Sequence, residues 1–229
     1  MYVNIWILIN RLINFVPSNK EMKTEKVDKR QAILEAAEKL FCETGYEGTS
    51  TRQISKESGA NMAMINYYFG SKEGVFVEIM NNRIAGFASQ LRIINEDKIS
   101  SLQKLHKVIE GYANRIFSNI AFHKMMHREL SLTQRPEMYD KIKNAMSHNM
   151  LILDRIIIDG IEDGSFNNVD VRMMISTIMG TLTNVVIAPH KISQGEVIDL
   201  SNPKDNKLIK ERAIAYLQNL VTVYLTTKK

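Results

Sequence analysis

Apolar residues recur along most of the chain at helical spacing, three or four positions apart, and no stretch of any length alternates with the two-residue period of a strand. The pattern predicts an all-α protein. Over residues 29–44 an apolar line runs through Ile33, Ala37, Leu40 and Phe41. Asp28 and Gln31 stand before it at capping-box spacing, and Gly45 follows as a stop. Ser50 and Gln53 repeat the capping-box spacing, with Ile54 as the first apolar anchor and Gly59 ending a short helix. Asn61 can cap a second short helix, on which Ile65 and Phe69 share the face turned to the first. Two short helices joined by a glycine-containing turn make a helix-turn-helix, whose second helix fits the major groove of DNA.

Beyond this point the helices lengthen. Ser71 can cap a helix over 71–95 carrying Phe76, Met80, Ile84, Phe87, Leu91 and Ile94 inward; it begins at the helix-turn-helix end and reads as a lever into the remainder. After a polar break at 95–100, Leu102, Leu105, Ile109, Tyr112, Ile116 and Phe117 mark the next helix, and a shorter one follows over 121–132. A helix over 136–159 turns Met138, Ile142, Met146 and Leu153 inward and stops at Gly160 or Gly164. Asp170 caps a helix carrying Val171, Met174, Ile175, Ile178, Leu182, Val185 and Val186 as far as Pro189. An irregular excursion over 191–202 leads to a last helix over 203–226, with Ile209, Ala213, Tyr216, Leu217, Leu220 and Tyr224 in line.

With Ile65 and Phe69 inward, Met62, Ala63, Asn66 and Tyr67 lie on the opposite face. Asn66 can pair with adenine in bidentate fashion, Met62 and Ala63 offer apolar contact to a thymine methyl, and the Tyr67 hydroxyl can meet a phosphate. Ser50, Thr51, Arg52, Asn61, Tyr68 and Lys72 complete the candidate DNA-binding set, Lys72 standing where free helix amides also suit a phosphate. A net charge of +5 and a pI near 9.2 permit nucleic-acid binding without demanding it. Phosphate attraction must therefore come from local placement of Arg52, Lys56, Lys72 and helix N-termini.

The order and spacing of Ile33-Leu34-Glu35-Ala36-Ala37-Glu38-Lys39-Leu40-Phe41, Gly45-Tyr46, Thr49-Ser50, Ile54, Gly59, Tyr68-Phe69 and Ser71-Lys72-Glu73 resemble the TetR family of transcriptional regulators. The departures fall mainly in the reading helix, where Asn66-Tyr67 stands where members often carry Tyr-His. The resemblance implies a helix-turn-helix DNA-binding domain at 23–70 and a larger helical domain at 71–229 that dimerises and often binds a small apolar or amphipathic effector. It implies a cytoplasmic homodimeric repressor, released from a palindromic double-stranded operator by that effector and needing no cofactor. The last two long helices look like the pair that builds the family's intermolecular four-helix bundle, with Gly180-Thr181 allowing close backbone approach. Phe87, Leu91, Tyr112, Phe117, Met126, Met146 and Met150 are candidate walls of an effector pocket, each equally readable as plain core.

Other chemistry is sparse. His123 and His127, at i and i+4, could chelate a transition metal, but only Glu129 or His148 could support them, and the reading assigns no metal site. Cys42, the single cysteine, excludes an intramolecular disulfide and fits a reducing compartment. No nucleophile elbow with ordered Ser, His and Asp and no phosphate-cradling glycine loop is present, so neither a catalytic site nor an enzyme is expected. Residues 1–22 form an apolar extension whose first sixteen positions are interrupted by Asn10, Arg11 and Asn14; too short for a membrane span, they fit a natural start at Met22. The alternative they leave open is a membrane-peripheral or architectural DNA-binding protein without an effector, with no stable membrane insertion.

Overall fold

The computed structural model describes residues 19–132, 136–193 and 195–227, with side chains from residue 29 onward. Residues 1–18 of the apolar extension lie outside that description. Among the described residues the order is α1 (Asn19–Gly48), α2 (Thr51–Ser58), α3 (Met62–Phe69), α4 (Lys72–Glu96), α5 (Ser101–Ser118), α6 (Ile120–Ser131), α7 (Pro136–Glu162), α8 (Val171–Ile187), a 3-10 turn (Pro189–Ile192) and α9 (Pro203–Thr226). The architecture is all-α, and the chain divides into two compact units, Met1–Phe76 and Val77–Lys229.

In the first unit, α2 and α3 pack on α1. Ile33, Ala37, Phe41, Ile54, Ile65, Val75 and Phe76 are fully buried there. The Phe76 ring meets Phe41 and Tyr46 edge-on, each at 5.3 Å between centroids, while Phe41 and Tyr46 stack at 5.6 Å. One expectation fails here. The helix runs through position 28 rather than starting there, and Gln31 donates its amide to Glu35 at 2.9 Å instead of closing a capping box. Gly45 does break it, at φ 79° and ψ 172°. The buried Thr49 hydroxyl donates to the Gly45 carbonyl at 2.8 Å, fixing the turn into α2.

In the second unit α5 is central, packing against α6, α7, α8 and α9. Its buried face runs through Leu105, Val108, Ile109, Tyr112, Ala113, Ile116 and Phe117. Ser100 and Gln103, inside the segment expected as a polar break, cap it with a full capping box. Asp170 caps α8 as expected, its carboxylate accepting from Met173 N at 3.0 Å. The segment after α8 is tied down at Leu200, which is buried and whose carbonyl accepts from Asn206 Nδ2 at 3.2 Å.

Candidate nucleic-acid interface and internal cavity

The helix-turn-helix is set by local chemistry at each joint. Ser50 and Gln53 exchange hydrogen bonds, the Ser50 hydroxyl accepting from Gln53 N at 3.2 Å and the Gln53 side-chain Oε1 accepting from Ser50 N at 2.7 Å. Gly59 closes α2 at φ 62°, the left-handed region that glycine enters without strain. Asn61 opens α3 by accepting from Met64 N at 2.8 Å. Ile65 is buried and Phe69 half-buried, with the Arg30 guanidinium 5.2 Å above the Phe69 ring. The opposite face is open: Met62, Ala63, Asn66 and Tyr67 are exposed, Tyr67 to 75 %. The Tyr67 and Tyr68 rings meet edge-to-face at 5.2 Å, and Tyr68 is half-buried. Ser50, Arg52 and Lys56 are exposed on the α2 side, and Thr51 is half-buried.

The second unit holds a cavity of about 690 Å³. Tyr112, Met126, Met146, Met150, Met179 and Val186 give it an apolar body, and Tyr139, Lys143 and Leu151 reach it from exposed positions. Beside it lies a lobe of about 60 Å³ that shares Tyr112, His123 and the four methionines and adds Arg83, Phe87, Arg115 and Asn149. Burial holds the Tyr112 phenol above its ordinary pKa, against a hydrogen bond with Thr183 that acts the other way. Burial, with the positive charge of Arg115 and Arg83, pushes His123 down to about 4. His123 is thus neutral at pH 7. Burial and the neighbouring Arg83 also lower Arg115.

Residues 33–79 match the family described as bacterial regulatory proteins, tetR family, and residues 98–187 match the tetracyclin repressor-like C-terminal domain. The chain belongs to the TetR family of transcriptional regulators. It is 25 % identical, over 71 % of its own length and 84 % of the relative's, to the fatty acid metabolism regulator protein of Bacillus subtilis strain 168. The structure of PfmR, a TetR-family regulator from Thermus thermophilus, superposes with a TM-score of 0.67 at 26 % identity, covering 86 % of this chain and 99 % of that one. FadR from Bacillus subtilis, solved with stearoyl-CoA, shares the fold with a TM-score of 0.67 at 22 % identity, over 82 % of this chain and 96 % of that one. This TetR-family chain is a DNA-binding transcriptional regulator.

Several expected site residues take other places in this regulator. Lys72, read as a phosphate ligand, turns inward: its ammonium donates to the Tyr46 and Thr49 carbonyls, each at 2.9 Å, and lies 4.1 Å from the Tyr46 ring centroid. It clasps the α1–α2 turn to the start of α4. Leu91 and Phe117, read as pocket walls, sit in the general core, 0 % and 5 % exposed, away from the cavity. Tyr112, Met126, Met146 and Met150 do line it together, and Phe87 lines the smaller lobe. The sequence reading missed Arg83, Arg115, Asn149, Met179 and Thr183. Asn149 carried a readable signal, for it falls on the apolar line between Met146 and Leu153. His123 and His127 both border the cavity, but among the described residues no group of three His, Cys, Asp or Glu side chains could hold a metal. No helix among the described residues is long and apolar enough to cross a membrane.

Proposed function

We propose that this regulator is a homodimeric repressor whose α3 helices read a palindromic operator and release it when a long-chain acyl amphiphile enters the cavity. The observation carrying the proposal is the cavity itself, a methionine-walled space within the size range of small-molecule sites. The similarity to a fatty acid metabolism regulator and to a structure solved with stearoyl-CoA supports the acyl class of ligand. One helix supplies the coupling. The first turn of α4 holds Lys72 and Phe76 in the first unit, while Arg83, Ile84 and Phe87 of the same helix line the cavity lobe in the second. An effector releases DNA only if it binds more tightly to the arrangement in which the two reading helices are wrongly spaced.

In this reading Asn66, with Met62 and Ala63 beside it, contacts base edges, while Arg52, Thr51, Ser50 and Tyr67 contact the phosphate chain. The dimer forms through α8 and α9, where Met173, Leu208, Tyr216, Val223 and Tyr224 are each more than half exposed. A two-fold mate is what lets short reading helices meet half-sites one helical turn apart. The test is selection of bound duplexes from random DNA, with and without long-chain acyl thioesters. The expected outcome is a palindrome bound with strong salt dependence and released by the thioesters. A protein that sediments as a monomer and binds all duplexes alike overturns the proposal.

A further inference from the structure

The smaller lobe of the cavity differs in chemistry from the apolar body. Arg115 donates from Nη2 to the Arg83 carbonyl, and its guanidinium lies 5.8 Å from the Phe87 ring centroid. The guanidinium packs over Gly86, where a methyl would stand in ordinary van der Waals contact, 3.4 Å from Nη2. Asn149 is 4 % exposed; its Nδ2 donates to the Ile84 carbonyl at 3.2 Å, which fixes the orientation of the amide. Its Oδ1 lies buried with no hydrogen-bond partner. A buried acceptor left without a donor is destabilising, and such atoms are normally paired with protein, ligand or ordered water.

The lobe therefore offers guanidinium donors and an amide acceptor within one space of about 60 Å³. A methyl chain end satisfies neither. A carboxylate accepts from Arg115 but sets a second acceptor against Asn149 Oδ1. A hydroxyl answers both, accepting from the guanidinium and donating to the amide oxygen. On the main cavity, outside the lobe, the exposed Tyr139, Lys143 and Leu151 suit an anionic head with the start of an apolar chain.

We infer that the effector is a long-chain amphiphile bearing a hydroxyl at its buried end, held between Asn149 Oδ1 and the Arg115 guanidinium. This rests on reading the cavity as an acyl-chain site. The experiment is calorimetric titration of the full chain with saturated fatty acids of graded length and with their ω-hydroxy counterparts. At the best-fitting length the hydroxylated acid binds at least about tenfold more tightly, because a site built for a hydroxyl discriminates against a ligand lacking it. Asn149→Leu brings the two series within about threefold of each other. Equal affinity of the two series for the unaltered protein, the result if an ordered water already serves Asn149, overturns the hydroxyl and leaves the acyl-chain site standing. Binding of neither series overturns both. The comparison on the unaltered protein needs no variant to fold.

Discussion

Asn66 stands exposed on α3, whereas Lys72 hands its ammonium to two carbonyls of its own chain. Their substitutions should fail differently. Asn66→Ala is expected to leave stability unchanged and to cost about 1–3 kcal/mol at one operator position, relaxing base preference there, as binding to a panel of single-base operator variants would read. Lys72→Met keeps the aliphatic stem but loses both charge-assisted bonds. It should lower stability by about 1–2 kcal/mol in urea denaturation, the half-exposed position limiting the loss, and weaken binding to all sequences alike. His123 gives a pH signature. Its folded pKa of about 4 lies below the ordinary histidine value of 6.5, so the unfolded chain binds more protons between those values. The neutral form's contribution is fully present above pH 6.5 and is lost as pH falls towards 4. His123→Gln should therefore flatten the stability profile across that window, by on the order of 1–3 kcal/mol between its ends; equal slopes for both proteins would remove His123 as the source.

The junction of α3 with α4 leaves no room for a side chain. A methyl on Gly74 would stand 1.9 Å from the Phe69 carbonyl oxygen and 3.0 Å from its carbon, and no rotamer relieves a clash with backbone. Gly74→Ala must push α3 away from α4, and a loss of about 2 kcal/mol or more in stability is expected together with loss of operator binding. Gly70→Ala meets open space but sits at φ 74°, so its penalty is strain alone, about 1 kcal/mol. A thermal melt of the two variants ranks them; a milder Gly74→Ala would contradict the close approach. The short helices were legible because their ends are written in side chains that act locally: Ser50, Gln53, Gly59 and Asn61 occupy the positions their types suggest. Asp28 and Gln31 carry the same signal, yet α1 continues upstream of them. A capping pattern shows where a helix can begin, not that the residues before it cannot be helical.

For the assembly, Gly180 offers a discriminating position. It is exposed in mid-helix on α8, and a methyl there meets nothing within 4 Å in the protomer. In an isolated protomer Gly180→Ala should stabilise by up to about 1 kcal/mol through helix propensity. A partner packed against α8 reverses the effect on association: Gly180→Leu should raise the dimer dissociation constant by about tenfold or more in sedimentation while leaving helicity intact. Unchanged association would move the interface elsewhere.

Periodicity, caps and glycine stops determined the all-α class, the helix-turn-helix and the outward set Met62, Ala63, Asn66 and Tyr67, because each depends on residues within a turn or two of one another. Tertiary structure alone separated Tyr112, which faces the cavity, from Phe117 on the same helix, which faces solid core. It alone drew Lys72 inward and set Arg115 and Asn149 about one lobe. Helical spacing records which residues leave water, whereas whether the space they enter is filled or hollow depends on side chains that arrive from other helices.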